Sequence, residues 1–327
     1  MPESKMQRVT IQHVAKAAGV SVSSVSHYQN GRRHHLRPET IERIKKSIEE
    51  LGYSPSRIAR QLKSGQTPMV GLLIPSIDNP YHAELALVLD CEAQKAGFRP
   101  VLGNGQRDAV REKAFIDELI EYGMRGFIST SELRDTTAMG EYVRRGIAFV
   151  LFDLRLSDIG FDGVDVVSID NCRATSMAVD HLAALGHRRI AYVTATPLSA
   201  NRAARLDGYT MALERNGLGA PIVISIKDDG NSEAGDSGLA GFGEKAAEKL
   251  LRSYPEVTAA IGINSIVTLG LCAGLQQLGV EVPRDISLIG IDNIKFSSMM
   301  VPSITTLGAD YSAMAAQAID YLRTRLA

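Results

Sequence analysis

The first fifty residues alternate apolar and polar positions at helical spacing. Ile11, Val14, Ala15 and Ala18 fall on one face, Thr10 stands ahead of them as an N-cap, and Gly19 supplies the positive φ that ends the helix. Ser21 caps a second short helix whose main buried anchor is Val25. A third opens at "RPET", with Pro38 in its first turn and Ile41, Ile44, Ile48 and Leu51 along its apolar side. Three short helices with a glycine turn between the first two predict a helix-turn-helix head.

Beyond residue 67 the pattern changes. Short apolar runs, "MVGLLIP", "GFIST", "IAFVLFD", "RIAYVTA", "TAAIGIN" and "ISLIGID", alternate with amphipathic stretches, among them helices near 111–122, 174–185 and 268–278. Buried strands separated by helices predict parallel sheets in α/β layers. The length of this region favours two such lobes over one. Between the two regions, "YSPSRIARQL" is too short to hold a helix alone in water, and "KSGQT" reads as a linker. Ser56 can cap that segment, and Ala59 and Leu62 share a face. The expected division is a head over 1–52, a hinge and linker over 53–66, and a body over 67–327.

Charge sharpens this division. Residues 1–66 carry 12 Lys/Arg against 5 Asp/Glu, a net of +7, while the remainder carries 24 against 32, a net of −8. A basic head on an acidic body suits a polyanion partner for the head. Hydrophobic residues make up 45% of the 327, enough for sizeable cores. Cys91, Cys172 and Cys272 are odd in number and far apart, which predicts no disulfide framework and a cytoplasmic setting. "MPESKMQRVT" is too polar for a signal peptide, and no apolar run is long enough to span a membrane.

The second helix has almost nothing to bury, which fits a helix that enters a DNA major groove. Ser23, Ser24, Ser26 and His27 offer short donors and acceptors to base edges, and Val22 a methyl contact for thymine. Asn30 and Arg32 or Arg33 are placed for phosphates. In the body, ligands are expected at the carboxyl ends of strands. The polar groups there are Asp78, Asn79 and Tyr81, Asp153 and Arg155, Asp170, Asn171 and Arg173, Asn264 and Ser265, and Asp292 and Asn293; Arg205 of "RLDGY" joins them. Such a mixture suits a polyhydroxylated small molecule. Asp170 and Asn171 read better as helix caps than as ligand contacts.

"VTIQHVAKAAGVSVSSVSHYQNG" and "PETIERIKKSIEELGYSPSRIARQLKSG" resemble the head and hinge of the lactose-repressor/purine-repressor (LacI-type) family. "GLLIPSIDNPY", "HLAALGHRRIAYV", "RLDGY", "VPRDISLIGIDN" and "VPSITTL" resemble its effector domain, itself similar to periplasmic sugar-binding proteins. The resemblance implies a three-helix head, a hinge helix that folds on the operator, and a two-lobed body with parallel sheets. It implies DNA contacts from Thr10, Ser21, Tyr53, Ser56, Ala59 and Lys63 beside the residues of the second helix, with Leu62 wedged into the minor groove. It also places Arg205, Asn264 and Asp292 at effector-contact positions, Asn79 and Tyr81 at the cleft, and Arg173 at a cleft position that varies among members. The partners it implies are a pseudo-palindromic operator, a second copy of the chain, and a sugar or sugar derivative; it calls for no cofactor or metal.

Several positions depart from the family pattern. His13 stands where the family has Asp, which weakens the expected capping box. Ser24 replaces Thr, "HYQ" replaces Arg-Val-Leu, and "GRRHHLRPET" is about a residue longer than usual. His82 takes the place of a second aromatic and Ser265 that of a frequent Asp. Two cleft arginines and a lost carboxylate lean towards an anionic effector, a sugar phosphate or sugar acid. The end at "YLRTRLA" falls short of the family's tail strands and leaves the second lobe expected to be trimmed.

Three classes of function follow. A transcription regulator, as a repressor, leads. A solute-binding protein shares the body but has no use for a basic head. An enzyme lacks support: there is no G-x-S-x-G, H-E-x-x-H or P-loop, and neither His34–His35 nor His181 and His187 have metal-ligand spacing with carboxylates or thiols.

Overall fold

Thr10 opens helix α1 (Ile11–Ala18), and its backbone N–H donates to His13 Nδ1 at 3.1 Å. An imidazole thus fills the returning half of the capping box in place of a carboxylate, so the weakening expected at His13 does not apply to this bond. Gly19, at φ +63°, turns the chain so that the Val20 N–H reaches Ala15 O at 3.0 Å. Helix α2 (Val22–Gln29), a 3₁₀ turn (Arg33–His35) and helix α3 (Pro38–Glu50) complete the head. Val14, Ala15, Ala18, Val25 and Ile44 form its core. On α3 only Ile44 of the predicted apolar face is fully buried; Ser47 is buried one turn on, and Ile41, Ile48 and Leu51 are half-buried.

The computed structural model describes residues 9–29, 31–53, 69–130, 136–152, 154, 159–196, 199–227, 238–292 and 295–327. The chain divides into two compact units, Met1–Thr67 and Pro68–Ala327. Asn30, Ser56, Ala59, Leu62, Lys63, Asp153, Arg155 and Asn293 lie outside the described residues. No described helix is long and apolar enough to cross a membrane.

Among the described residues the second unit holds two all-parallel five-stranded sheets. The first comprises β1 (Met69–Ile74), β2 (Arg99–Asn104), β3 (Gly126–Ser129), β4 (Ala148–Phe152) and β5 (Val164–Val167), in the order β2-β1-β3-β4-β5. The second comprises β6 (Ile190–Thr196), β7 (Ile222–Lys227), β8 (Ala259–Gly262), β9 (Ser287–Ile291) and β10 (Thr305–Leu307), in the order β10-β9-β8-β6-β7. Read from the other edge, the second order repeats the first. In both, the winding reverses beside the first strand, between β1 and β3 and between β6 and β8. In sheets of this order a crevice opens there, at the carboxyl ends of the strands.

Helices α4 (Pro80–Lys95), α5 (Ala109–Glu121) and α6 (Thr136–Arg144) follow strands of the first lobe; α7 (Asn171–Ala184) precedes β6 and packs into the core of the second, and α8 (Ala200–Arg215), α9 (Gly238–Ser253) and α10 (Ser265–Gln277) follow strands of the second. Strand β4 shows why these runs are apolar throughout. Ala148, Val150 and Phe152 enter one core, while Phe149 and Leu151 enter the core on the other face, where Phe149 stacks on Phe127 at 5.3 Å.

The last helix, α11 (Tyr311–Leu326), returns to the first lobe. Its Ala315, Ala318, Ile319 and Leu322 pack with Val70, Leu72, Ile128 and Val150, and Arg325 pairs with Asp165 of β5. Among the described residues both sheets have five strands, and α11 covers the first of them.

Candidate functional site

Helix α2 presents polar chemistry because Val25 is its one fully buried residue, with Tyr28 packed half-buried against the same core. Ser21 Oγ accepts from the Ser24 N–H at 3.1 Å, as an N-cap does, and lies 2.8 Å from Ser23 Oγ and 2.9 Å from Ser24 Oγ. A fan of three hydroxyls thus occupies the helix's first turn. Val22 beside it is 43% exposed, a large apolar surface for so polar a neighbourhood. Ser26 and His27 are half-exposed. Thr10 is exposed at the start of α1, whereas Tyr53 packs half-buried against the head core and donates its N–H to Ile48 O at 3.0 Å.

In the second lobe Arg205 is 8% exposed, and its guanidinium is fixed on three sides. Nε donates to Asn171 Oδ1 at 2.7 Å, Nη1 to Ile263 O at 2.5 Å, and Nη2 to Asp292 Oδ1 at 3.0 Å. Three segments are drawn together: the start of α7, the end of β8 and the end of β9. Burial of a lone guanidinium is costly, and this partner set is what offsets it. Asp292 holds φ +70°, a left-handed conformation uncommon outside glycine but least unusual for Asp and Asn. Such backbone outliers gather where a side chain must be aimed.

The Asn171 amide also donates to Asn201 Oδ1 at 3.2 Å. Asp170 is the cap of α7, accepting from the Arg173 N–H at 2.9 Å. The reading of Asp170 as a cap therefore holds, and that of Asn171 is corrected: it stands one residue inside the helix and belongs to the Arg205 network. Tyr192 lies beneath this network, stacked on Tyr209 at 5.1 Å. Its hydroxyl is buried with no hydrogen-bond partner among the described residues, and burial raises its pKa. Sequence reasoning missed both; the signal for Tyr192 was a hydroxyl-bearing ring inside "RIAYVTA".

The other expected contacts sit at strand ends. Asn264 caps α10, accepting from the Val267 N–H at 2.9 Å, immediately after the Ile263 carbonyl that Arg205 holds. Ser265 is buried beside it, its Oγ without a partner among the described residues. Across the body, Asn79 caps α4, accepting from the Tyr81 N–H at 3.0 Å, and Ser76 Oγ donates to Asp78. Tyr81 is half-buried, edge-on to Tyr311 at 5.7 Å. Arg173 is exposed. Helices α4 and α10 of the two lobes are in contact.

Residues 10–56 match the model for bacterial regulatory proteins of the lacI family, and residues 179–327 match a periplasmic binding protein-like domain. The transcriptional regulator PtxS of Pseudomonas putida is 31% identical over 99% of this chain and 91% of its own length. The ribose operon repressor of Escherichia coli is 31% identical over 97% of this chain and 93% of its own. Among solved structures, the Lac repressor bound to ONPG in its repressed state aligns with a TM-score of 0.80 at 25% identity, over 98% of this chain and 94% of the other. Full-length similarity at this level joins the helix-turn-helix head and the two-lobed body in one ancestry: the chain belongs to the lacI family of bacterial regulatory proteins.

Proposed function

We propose that this chain is an operator-binding repressor controlled by a neutral, polyhydroxylated effector, a sugar or close derivative, held at the carboxyl end of the second sheet. As a family member it is a DNA-binding transcription regulator under small-molecule control. The observation that carries the effector class is the pairing of Arg205 with Asp292. It offsets one of the two cations on which an anionic effector would rest. What remains at the strand ends is a set of hydroxyls, amides and one carboxylate that matches sugar hydroxyls. Asn79 and Tyr81 from the first lobe, and Arg173, Asn264 and Ser265 from the second, complete the proposed site.

The head, taken as 1–52, binds DNA through Thr10, Ser21, Val22, Ser23, Ser24, Ser26, His27 and Asn30. The hinge, 53–66, adds Tyr53, Ser56, Ala59, Leu62 and Lys63, and the body, 67–327, binds effector and a second copy. One such head reads only a few base pairs, so a homodimer on an inverted repeat supplies the affinity. Two relatives, a ribose operon repressor and a Lac repressor bound to ONPG, support a sugar-responsive reading. It works as a regulator, not a catalyst, in the cytoplasm where its operator lies.

Selection of bound duplexes from a random pool, followed by a thermal-shift screen of sugars, sugar acids and sugar phosphates, tests this reading. Selected sites are expected to hold an inverted repeat, and a neutral sugar to raise the melting temperature and change operator affinity. Sites without symmetry, or a response confined to anionic ligands, overturn it.

A further inference from the structure

The loop after α2 holds two histidines, His34 and His35, that the reading above leaves unused. His27, at the carboxyl end of α2, lies 5.5 Å from His35 of the 3₁₀ turn, centroid to centroid, and His35 lies 4.0 Å from His34. His34, His35 and Arg32 are exposed and His27 is half-exposed. Among the described residues, the charges that act on His35 are His34, His27 and Arg32. The charged side chains of α1 and α3, the helices packed against α2, are not among them. Among the described residues this is a solvent-facing group of Arg32 and three histidines, at the carboxyl end of α2 and in the loop that follows it.

Two uses fit clustered histidines. One is metal binding, but among the described residues no group of three His, Cys, Asp or Glu is placed to hold an ion. The other is an anion that arrives from outside. Protonated together, these rings repel one another and Arg32, so in the free head the charged form is opposed. His34 first, then desolvation, His27 and Arg32, hold the His35 pKa below its usual value. A row of phosphates reverses that balance, because each unit of negative charge within a few ångströms favours the imidazolium. The cluster adjoins the helix that presents hydroxyls for base reading, so a duplex against α2 brings its backbone to this loop.

We propose that His34 and His35, with Arg32, form a proton-coupled contact for the DNA sugar-phosphate backbone, so that the head takes up protons as it binds. The inference rests on the head being the DNA-binding unit. By linkage, each proton taken up makes affinity rise about tenfold per pH unit as pH falls through the titration of the rings. The regulator then holds DNA more tightly in a mildly acidified cell, without any change in effector.

The test is the affinity of the full chain for a fixed mixed-sequence duplex, followed by fluorescence anisotropy at constant ionic strength between about pH 6 and pH 8. The wild type is expected to bind more tightly as pH falls. The double variant H34Q/H35Q, which cannot charge these two positions, is expected to bind more weakly at the acid end with a much shallower slope. H34R/H35R, permanently charged, is expected to bind tightly with an equally shallow slope. All substituted side chains are exposed, and a melting curve for each variant checks the fold. A flat profile in the wild type, or the wild-type slope surviving in both variants, overturns the proposal. Failure of the wild type to bind at any pH overturns the DNA-binding reading itself, and the proposal with it.

Discussion

Arg205 and Asp292 stand 87 residues apart in sequence and meet at 3.0 Å, with both side chains about nine-tenths buried. Helix α8 is thereby tied to the end of β9 at the point where the second sheet presents its carboxyl edge. The pair links fold and function in one contact, and substitutions there should separate the two.

Asp292→Ala leaves the guanidinium buried without its carboxylate, and is expected to lower stability by about 3–5 kcal/mol. Asp292→Asn keeps an acceptor and tolerates the left-handed backbone, so it should fold while losing the charged contact to effector. Chemical denaturation, run beside an effector titration of operator release, distinguishes the two. Equal stability for Asp292→Ala and wild type refutes a structural role for the pair.

Helix α8 carries a glycine where α7 comes closest. A Cβ on Gly208 would overlap the backbone carbonyl of Cys172, next to Asn171. Gly208→Ala must push the helices apart, at a cost of about 1–3 kcal/mol. Because Asn171 and Arg205 sit on the two helices, effector affinity should fall together with the melting temperature. Thermal-shift titration reads both from one experiment, and an unchanged ligand-induced shift in a destabilised variant refutes the coupling.

Ser21 caps α2, and Ser21→Ala is expected to destabilise the head by about 1 kcal/mol, with Ser21→Asp restoring the cap. His27→Arg lies at the other end of the same helix and should alter the sequences selected from a random pool with little change in head stability. Circular dichroism and repeated selection check the two halves separately. Identical selected sites for His27→Arg and wild type remove His27 from base reading.

Asp180 of α7 accepts from Arg215 Nη2 at 2.6 Å and from the Asn216 amide at 2.7 Å, and the Arg215 bond above all holds its pKa below the usual carboxylate value. A depressed pKa in the folded state contributes stability above the unfolded value, about pH 4, and loses it as pH falls further through the folded value. Asp180→Asn should therefore be less stable than wild type at neutral pH, and the difference should shrink in acid. The pair is half-exposed, so the neutral-pH gap should also shrink with salt. Denaturation across pH and ionic strength measures this; a gap that widens in acid contradicts it.

The head was legible because its signals are local. Thr10, Gly19, Ser21 and Pro38 act within a turn of themselves, and a helix with a lone apolar anchor at Val25 advertises an open face. The alternation of β4, which puts Phe149 and Val150 into different cores, was likewise implied by an unbroken apolar run, since a strand covered on both faces needs no polar residues. Other features depend on what meets across the chain. Asn171 is adjacent to a capping Asp170 in sequence, and only the arrival of Arg205 from the next helix converts it from a helix residue into part of a polar network. The destination of the last helix was equally hidden: the apolar face of α11 suits either lobe, and its packing against Val70 and Leu72 decides for the first. Local spacing and capping thus determined the elements and the open face of the head. The partners of Arg205, the place of α11 and the histidine cluster of the α2–α3 loop were decided by tertiary structure, because burial and charge pairing depend on distances between segments that sequence neighbours do not set.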